Sequence, residues 1–304
     1  MAELRSRLWA AQAGPLTVDS GEMCRFAMYL GPPIKLSALV TEPSNSIIHQ
    51  SYDAQEREEP LNGDGFGVAW YVPELRDEPA VFKSISPAWN NANLLNLAPV
   101  TRSHCLLAHV RAASPGLAVA QVNCHPFVRE RFAFMHNGSV GGFARLRRRL
   151  RERLSDLAYD AIAGSTDSEH VLALLSDRWL EALEPDPLER AALALRETIE
   201  LLEHLRAELD IEEPSYLNLA ITDGAAAMVC RYVSPGPDPA HSLYYARGAL
   251  VVEDGKSRID APKSDGPAVV VASEPLGDRS RWEAVPRNHL VLIDDQRRVN
   301  LREI

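Results

Sequence analysis

Met23-Cys24-Arg25-Phe26 sets a cysteine directly after a methionine, an arrangement from which an N-terminal nucleophile can be made. A thiol at a true N-terminus lies beside a free α-amine, which titrates at roughly 7.7–8.0 and can act as the base that activates it. An internal peptide nitrogen has no such basicity. Residues 1–22 therefore leave three readings open: translation begins at Met23, the extension is removed, or Cys24 is an ordinary cysteine. The dipeptide takes its weight from the residues downstream.

Beyond it, short apolar runs alternate with Gly/Pro/Asn turns. Val68-Ala-Trp-Tyr-Val72 follows the glycine-rich Asn62-Gly-Asp-Gly-Phe-Gly67, and Ser103–Val110 and Phe132–Met135 read as buried strands. A helical middle comes next. Thr166 to about Leu180 opens with Thr-Asp-Ser-Glu, a capping signature with acids in the first turn; Pro187 to about Leu209 opens with proline and repeats leucine at helical spacing. Strand patterns then return at Leu217–Thr222, Met228–Val233, Leu243–Tyr245, Ala268–Ser273 and Leu290–Ile293, with Ser234–Pro239 and Glu253–Pro267 expected as surface loops. Strands, helices, then strands again predict an α+β sandwich in which helices cover stacked sheets. No composition shift divides it, so residues 24–304 are expected to form one domain behind a 1–22 extension.

The bulk properties exclude several classes. No apolar run reaches the roughly 18 residues of a membrane span, and the N-terminus lacks the apolar stretch of a secretory signal. The expected location is the cytoplasm. Cys24, Cys105, Cys124 and Cys230 are scattered without a CxxC pair, which argues against a zinc site or a disulfide framework. A net charge of −10 argues against general nucleic-acid binding. The local exception, Arg145-Leu-Arg-Arg-Arg-Leu-Arg-Glu-Arg153, carries Leu146, Leu150 and Leu154 at four-residue spacing and reads as a helix with a solvated basic face, the alternative being a face for an anionic partner or acidic subunit.

Three clusters carry chemistry. His109-Val-Arg-Ala-Ala-Ser-Pro115 sets Arg111 just past a strand end, where a guanidinium can grip a carboxylate or join a surface ion pair. His136-Asn137-Gly138 offers a side-chain amide and a glycine N–H as oxyanion donors; Asn-Gly is also the commonest hairpin turn, and the local residues favour the turn. Gly164-Ser-Thr-Asp-Ser-Glu-His170 sets Asp167 at a helix start, able to receive an ammonium or to cap the helix. His125, in Asn123-Cys-His-Pro-Phe127, reads as a structural hydrogen bonder. Cys105 and Cys124 read as buried apolar side chains. No Asp or Glu stands at triad spacing from His109 and His136, so no metal or other cofactor is expected.

Together the clusters resemble the class II glutamine amidotransferase domain, an N-terminal-nucleophile fold, from Met23 to the C-terminus. The resemblance implies a four-layer αββα sandwich. It implies Cys24 as nucleophile with its freed α-amine as base, Arg111 on the substrate α-carboxylate and Asp167 on its α-ammonium. Asn137 and Gly138 become the oxyanion hole. Ala112 and Ser114 depart from the Trp and Thr that many members carry after the arginine. Within the family, Asn62–Trp70, Phe82–Asn91, Asn123–Phe127, Met135–Gly138 and Val271–Leu276 are similar to the amidotransferase-type subunits of the fungal Dug glutathione-degrading complexes, which work with a metallopeptidase-like partner. The γ-glutamyl amidohydrolase of ergothioneine synthesis shares the core motifs less fully. The fungal sequences begin at the Met-Cys, which suggests a misplaced start for this chain.

The expectation is therefore hydrolysis of a γ-glutamyl amide, glutathione or a related compound, through a γ-glutamyl thioester on Cys24. The alternatives are a glutaminase subunit passing ammonia to a separate synthetase, and a silent subunit that only binds γ-glutamyl compounds. Trp89, Asn90, Asn91 and Asn93 are candidates for leaving-group contacts, or for a capped loop.

Overall fold

The computed structural model describes residues 24–56, 61–113, 118–262 and 266–304, so the extension and Ser114 lie outside the described residues. The strands are β1 (Arg25–Lys35), β2 (Phe66–Trp70), β3 (Ala80–Ser84), β4 (Arg102–Val110), β5 (Phe127–Arg129), β6 (Phe132–Ser139), β7 (Tyr216–Thr222) and β8 (Ala227–Val233). They continue as β9 (Tyr244–Arg247), β10 (Ala249–Glu253), β11 (Lys256–Asp260), β12 (Val269–Ala272), β13 (Glu283–Ala284), β14 (His289–Ile293) and β15 (Val299–Glu303). The helices are α1 (Ser37–Val40), α2 (Ile47–Gln50), α3 (Ala92–Leu97), α4 (Phe143–Arg151), α5 (Asp156–Asp160), α6 (Asp167–Glu181) and α7 (Pro187–Glu208).

Two antiparallel sheets stack face to face. One runs β13-β9-β12-β1-β4-β2-β3 and the other β15-β14-β8-β7-β6-β5. Successive side chains on a strand point to opposite faces, and each central strand is apolar on both. On β1, Phe26, Met28 and Leu30 enter the core between the sheets, while Ala27 and Tyr29 enter the outer core. On β6, Ala133 and Met135 face the other sheet, while Phe134 faces the helices. Helices α6 and α7 cover the six-stranded sheet through Val171, Leu174, Leu195 and Leu202; α1, α2, α3 and the β10–β11 hairpin cover the seven-stranded one through Leu39, Ile47, Leu94, Leu250 and Ile259. This is the expected four-layer αββα sandwich. Apolar residues on both faces of a sheet exclude a solvated face, so each needs a covering layer.

Three local expectations change. Residues 253–267 are not all loop: β11 pairs with β10, with Ser257 and Ile259 buried between exposed Lys256 and Arg258. Charged residues on its outer face conceal the alternation. Asn137 and Gly138 are not a hairpin turn but lie within β6, opposite Asn218 and Leu217 of β7. Asp167 does not cap α6; the Thr166 hydroxyl accepts from Glu169 N–H at 3.2 Å and does so instead. The arginine-rich segment is α4, which buries Leu146 and Leu150 and sets Arg148 and Arg149 against Glu152 in solvent.

Candidate active site

The site forms at one end of the sandwich because the strands that carry it begin or end there. Arg25 pairs with Val110 and Phe66 with the same residue, so the start of β1, the end of β4 and the start of β2 lie side by side. Ala27 pairs with Ala272, which brings the end of β12 to the same edge. Strand parity then selects the side chains. Cys24 has the parity of Phe26 and Met28, Arg111 that of Cys105 and Leu107, Ser273 that of Val269 and Val271, and Asn137 that of Ala133 and Met135. Those apolar residues all belong to the core between the sheets. The nucleophile candidate, the guanidinium and the amide thus share one inter-sheet face.

Cys24 is partly exposed, whereas Cys105 and Cys124 are buried as expected, and Cys230 is buried too. Burial pushes its thiol up to about 11; Arg111 and Arg25 draw it back and Asp167 raises it further. The thiol reaches Ala112 O at 3.7 Å, beside Arg111, and the Asp167 charge bears on it from the start of α6. A thiol with that value is protonated at neutral pH and needs a base to become a nucleophile.

Arg111 is 3% exposed. Its main chain is knitted into the glycine-rich loop: Arg111 N–H donates to Gly65 O at 2.9 Å and Asp64 N–H to Arg111 O at 3.0 Å. The Asp64 carboxylate accepts from Ala113 N–H at 2.9 Å. Among the described residues, the guanidinium's hydrogen-bond partner is the Asp64 carbonyl, at 3.5 Å from Nη1. A guanidinium has five donors, and a buried one with a single distant neutral acceptor is matched to an incoming carboxylate. This is the opposite of a surface ion pair.

Asp167 accepts from Val140 N–H at 2.8 Å, Ser168 N–H at 2.7 Å and Ser168 Oγ at 3.2 Å. A carboxylate offers about four lone-pair sites, so room remains for an ammonium. Its bond to Val140 also pins the chain just beyond Gly138. Gly138 has φ +153°, and a Cβ there would stand 1.9 Å from Tyr216 O, so no other residue fits. Asn137 is buried; its Nδ2 donates to Ser273 Oγ at 3.2 Å.

Residues outside the motifs complete the site. Arg25 has the opposite parity to Cys24 and donates to buried Glu274 at 3.0 Å, while its Nη1 donates to Cys24 O at 3.0 Å. Glu274 also accepts from Gln55 N–H at 2.8 Å. His125 is no hydrogen bonder: neither ring nitrogen has a partner among the described residues, and the ring stacks on His109 at 4.2 Å between centroids. Burial lowers His109 to about 3 and His125 well below its usual value, so both are neutral spacers rather than acid–base groups. Of the leaving-group candidates, Asn91 caps α3 by accepting from Leu94 N–H at 2.8 Å, and Asn90 and Asn93 are exposed. Trp89 packs on the glycine-rich loop, lying 3.2 Å from where a Cβ on Gly63 would be.

Residues 36–303 match the family model of class-II glutamine amidotransferases. The chain is 40% identical over 296 residues to the probable glutamine amidotransferase DUG3 of Saccharomyces cerevisiae, covering 90% of this chain and 82% of the relative. It is 27% identical to the γ-glutamyl-hercynylcysteine sulfoxide hydrolase of Mycobacterium tuberculosis, over 88% of this chain and 92% of that one. A solved structure of a class-II glutamine aminotransferase domain protein from Silicibacter pomeroyi superposes with a TM-score of 0.63 at 28% identity, covering 92% of this chain and 99% of the other.

Proposed function

The chain belongs to the class II glutamine amidotransferases, and on that premise we propose that it hydrolyses a γ-glutamyl amide through a thioester on Cys24. The observation that carries this reading is buried Arg111, with no carboxylate partner among the described residues, on the same inter-sheet face as Cys24 and Asn137. Arg111 takes the substrate α-carboxylate and Asp167 its α-ammonium, which fixes the γ-carbonyl at the thiol. The freed α-amine of Cys24 accepts the thiol proton, and the thiolate adds to the γ-carbonyl carbon. Asn137 Nδ2–H and Gly138 N–H donate to the resulting oxyanion. Collapse breaks the C–N bond, and the ammonium proton passes to the leaving nitrogen. Water, deprotonated by the amine, then cleaves the thioester to glutamate. Because the amine must be free, residues 1–23 are absent from the active species.

The clamps read only the amino-acid end, so the leaving group is set elsewhere. The mycobacterial relative is named for hydrolysis of a γ-glutamyl compound, which supports a leaving group larger than ammonia, with Trp89 at its rim and glutathione as the first candidate. A metallopeptidase-like partner would process the released peptide. The yeast relative's name, a probable glutamine amidotransferase, favours a second reading in which ammonia passes to a synthetase subunit. Glutamate release from glutathione and from glutamine, with Cys24→Ala as blank, separates them. Faster release from glutathione with cysteinylglycine as co-product is expected; faster release from glutamine with free ammonia supports the second reading. Release by Cys24→Ala equal to the parent contradicts both.

Arg111→Lys keeps the charge but loses the fork that meets both carboxylate oxygens. It is expected to lower kcat/KM about 10- to 100-fold, mainly through KM. Steady-state kinetics on the better of the two substrates checks this, and an unchanged KM would remove Arg111 from the carboxylate clamp.

A further inference from the structure

We propose that Ser273 sets the orientation of the Asn137 amide by donating its hydroxyl proton to Asn137 Oδ1, which turns the amide N–H2 toward the substrate. The inference rests on the oxyanion-hole reading and identifies the group that gives the hole its direction.

Ser273 follows β12 and is fully buried. Its N–H donates to Phe26 O at 2.9 Å, and its carbonyl accepts from Ser242 Oγ at 3.0 Å. Phe26 N–H donates to its Oγ at 3.0 Å, which fixes the hydroxyl on β1 two residues beyond Cys24. Asn137 Nδ2 lies 3.2 Å from the same Oγ, while Asn137 Oδ1 is buried with no hydrogen-bond partner among the described residues.

In that orientation two N–H donors converge on one hydroxyl oxygen. The serine proton then has no acceptor among the described residues, and the amide oxygen has no donor. Both faults have one remedy. Half a turn about the Asn137 Cβ–Cγ bond brings Oδ1 to Ser273, where it accepts the serine proton; the oxygen of an amide and its nitrogen are nearly equal in shape, so the turn costs no space. Ser273 Oγ then accepts one bond and donates one. The amide N–H2 moves to the position Oδ1 now holds, on the side away from Ser273, where it can donate to a developing oxyanion. Without that turn, an acceptor oxygen would be aimed at a negative charge. Ser273 is therefore a positioning residue: it touches Asn137 and β1, not the reacting atoms.

A double-mutant cycle on protein beginning at Cys24 tests this, reading glutamate release from glutamine and glutathione. Ser273→Ala is expected to lower kcat about tenfold or more with little change in KM, because an oxyanion donor acts in the transition state. In an Asn137→Ala background the same change should cost nothing further, since nothing is left to orient. Ser273→Thr keeps the hydroxyl and should recover most of the lost kcat. Losses that multiply in the double variant, or a threonine variant as slow as the alanine one, overturn the proposal. Slow Asn137→Ala with unimpaired Ser273→Ala overturns it while leaving the oxyanion hole standing. Unimpaired Asn137→Ala removes Asn137 from the oxyanion hole and the proposal with it.

Discussion

Protein that begins at Cys24 is expected to release glutamate from its γ-glutamyl substrate about a thousand-fold faster than protein retaining residues 1–22, since a positioned general base contributes about 10²–10⁴-fold. The reason lies in the thiol. Burial pushes Cys24 up to about 11, and the two nearby arginines do not undo it. At pH 7 a thiol of that value is thiolate in about one molecule in ten thousand. His109 and His125 are too strongly depressed by burial to take its proton. On the proposed mechanism, a freed α-amine on the same residue would supply the missing base. The pH profile then has a definite sign. The base must be unprotonated, so kcat/KM rises with pH through roughly 7.7–8.0 and then levels. With the peptide bond to Met23 intact, any residual rate should keep climbing toward the thiol's own value. Intact mass identifies the N-terminus of each preparation. Equal activity in a preparation that keeps residues 1–22 would eliminate the amine as base.

Glu274→Ala is expected to cost about 3–5 kcal/mol of stability, because it strips a buried guanidinium of its buried carboxylate. The Arg25 and Glu274 side chains are 3% and 0% exposed and meet at 3.0 Å. Removing the carboxylate also strands Gln55 N–H. Urea unfolding of the parent and variant measures the loss; a change below about 1 kcal/mol would mean that water reaches the pair and screens it. The consequence extends to function, since Arg25 Nη1 also holds the Cys24 carbonyl. The variant should lose activity even where it remains folded.

The layers are legible in the sequence because they arise from apolar periodicity. The two long helices begin within a residue of expectation, at Asp167 and Pro187, since a threonine cap and an N1 proline mark them locally. The motif residues Cys24, Arg111 and Asn137 share one inter-sheet face, and the Asp167 charge bears on the same thiol. The parts that stay hidden are those local sequence does not encode. Arg25 and Glu274 are 249 positions apart, and Ser273 and Asn137 are 136 apart. Such pairs arise only once β12 lies beside β1 and β6 is stacked against them. Parity is the one available signal: counting in twos from Met28, Val271 and Met135 reaches Cys24, Ser273 and Asn137. The β10–β11 hairpin escapes for a different reason, since charged residues outnumber apolar ones along its exposed face.

The central claim is a γ-glutamyl group carried on Cys24. The most direct measurement is acid quenching of Cys24-initiated protein during turnover of glutathione, followed by intact mass and peptide mapping. A population heavier by one γ-glutamyl group, located on the N-terminal peptide and absent in Cys24→Ala, is the predicted result. Continued glutamate release with no adduct on that peptide, and a Cys24→Ala protein as fast as the parent, would contradict it.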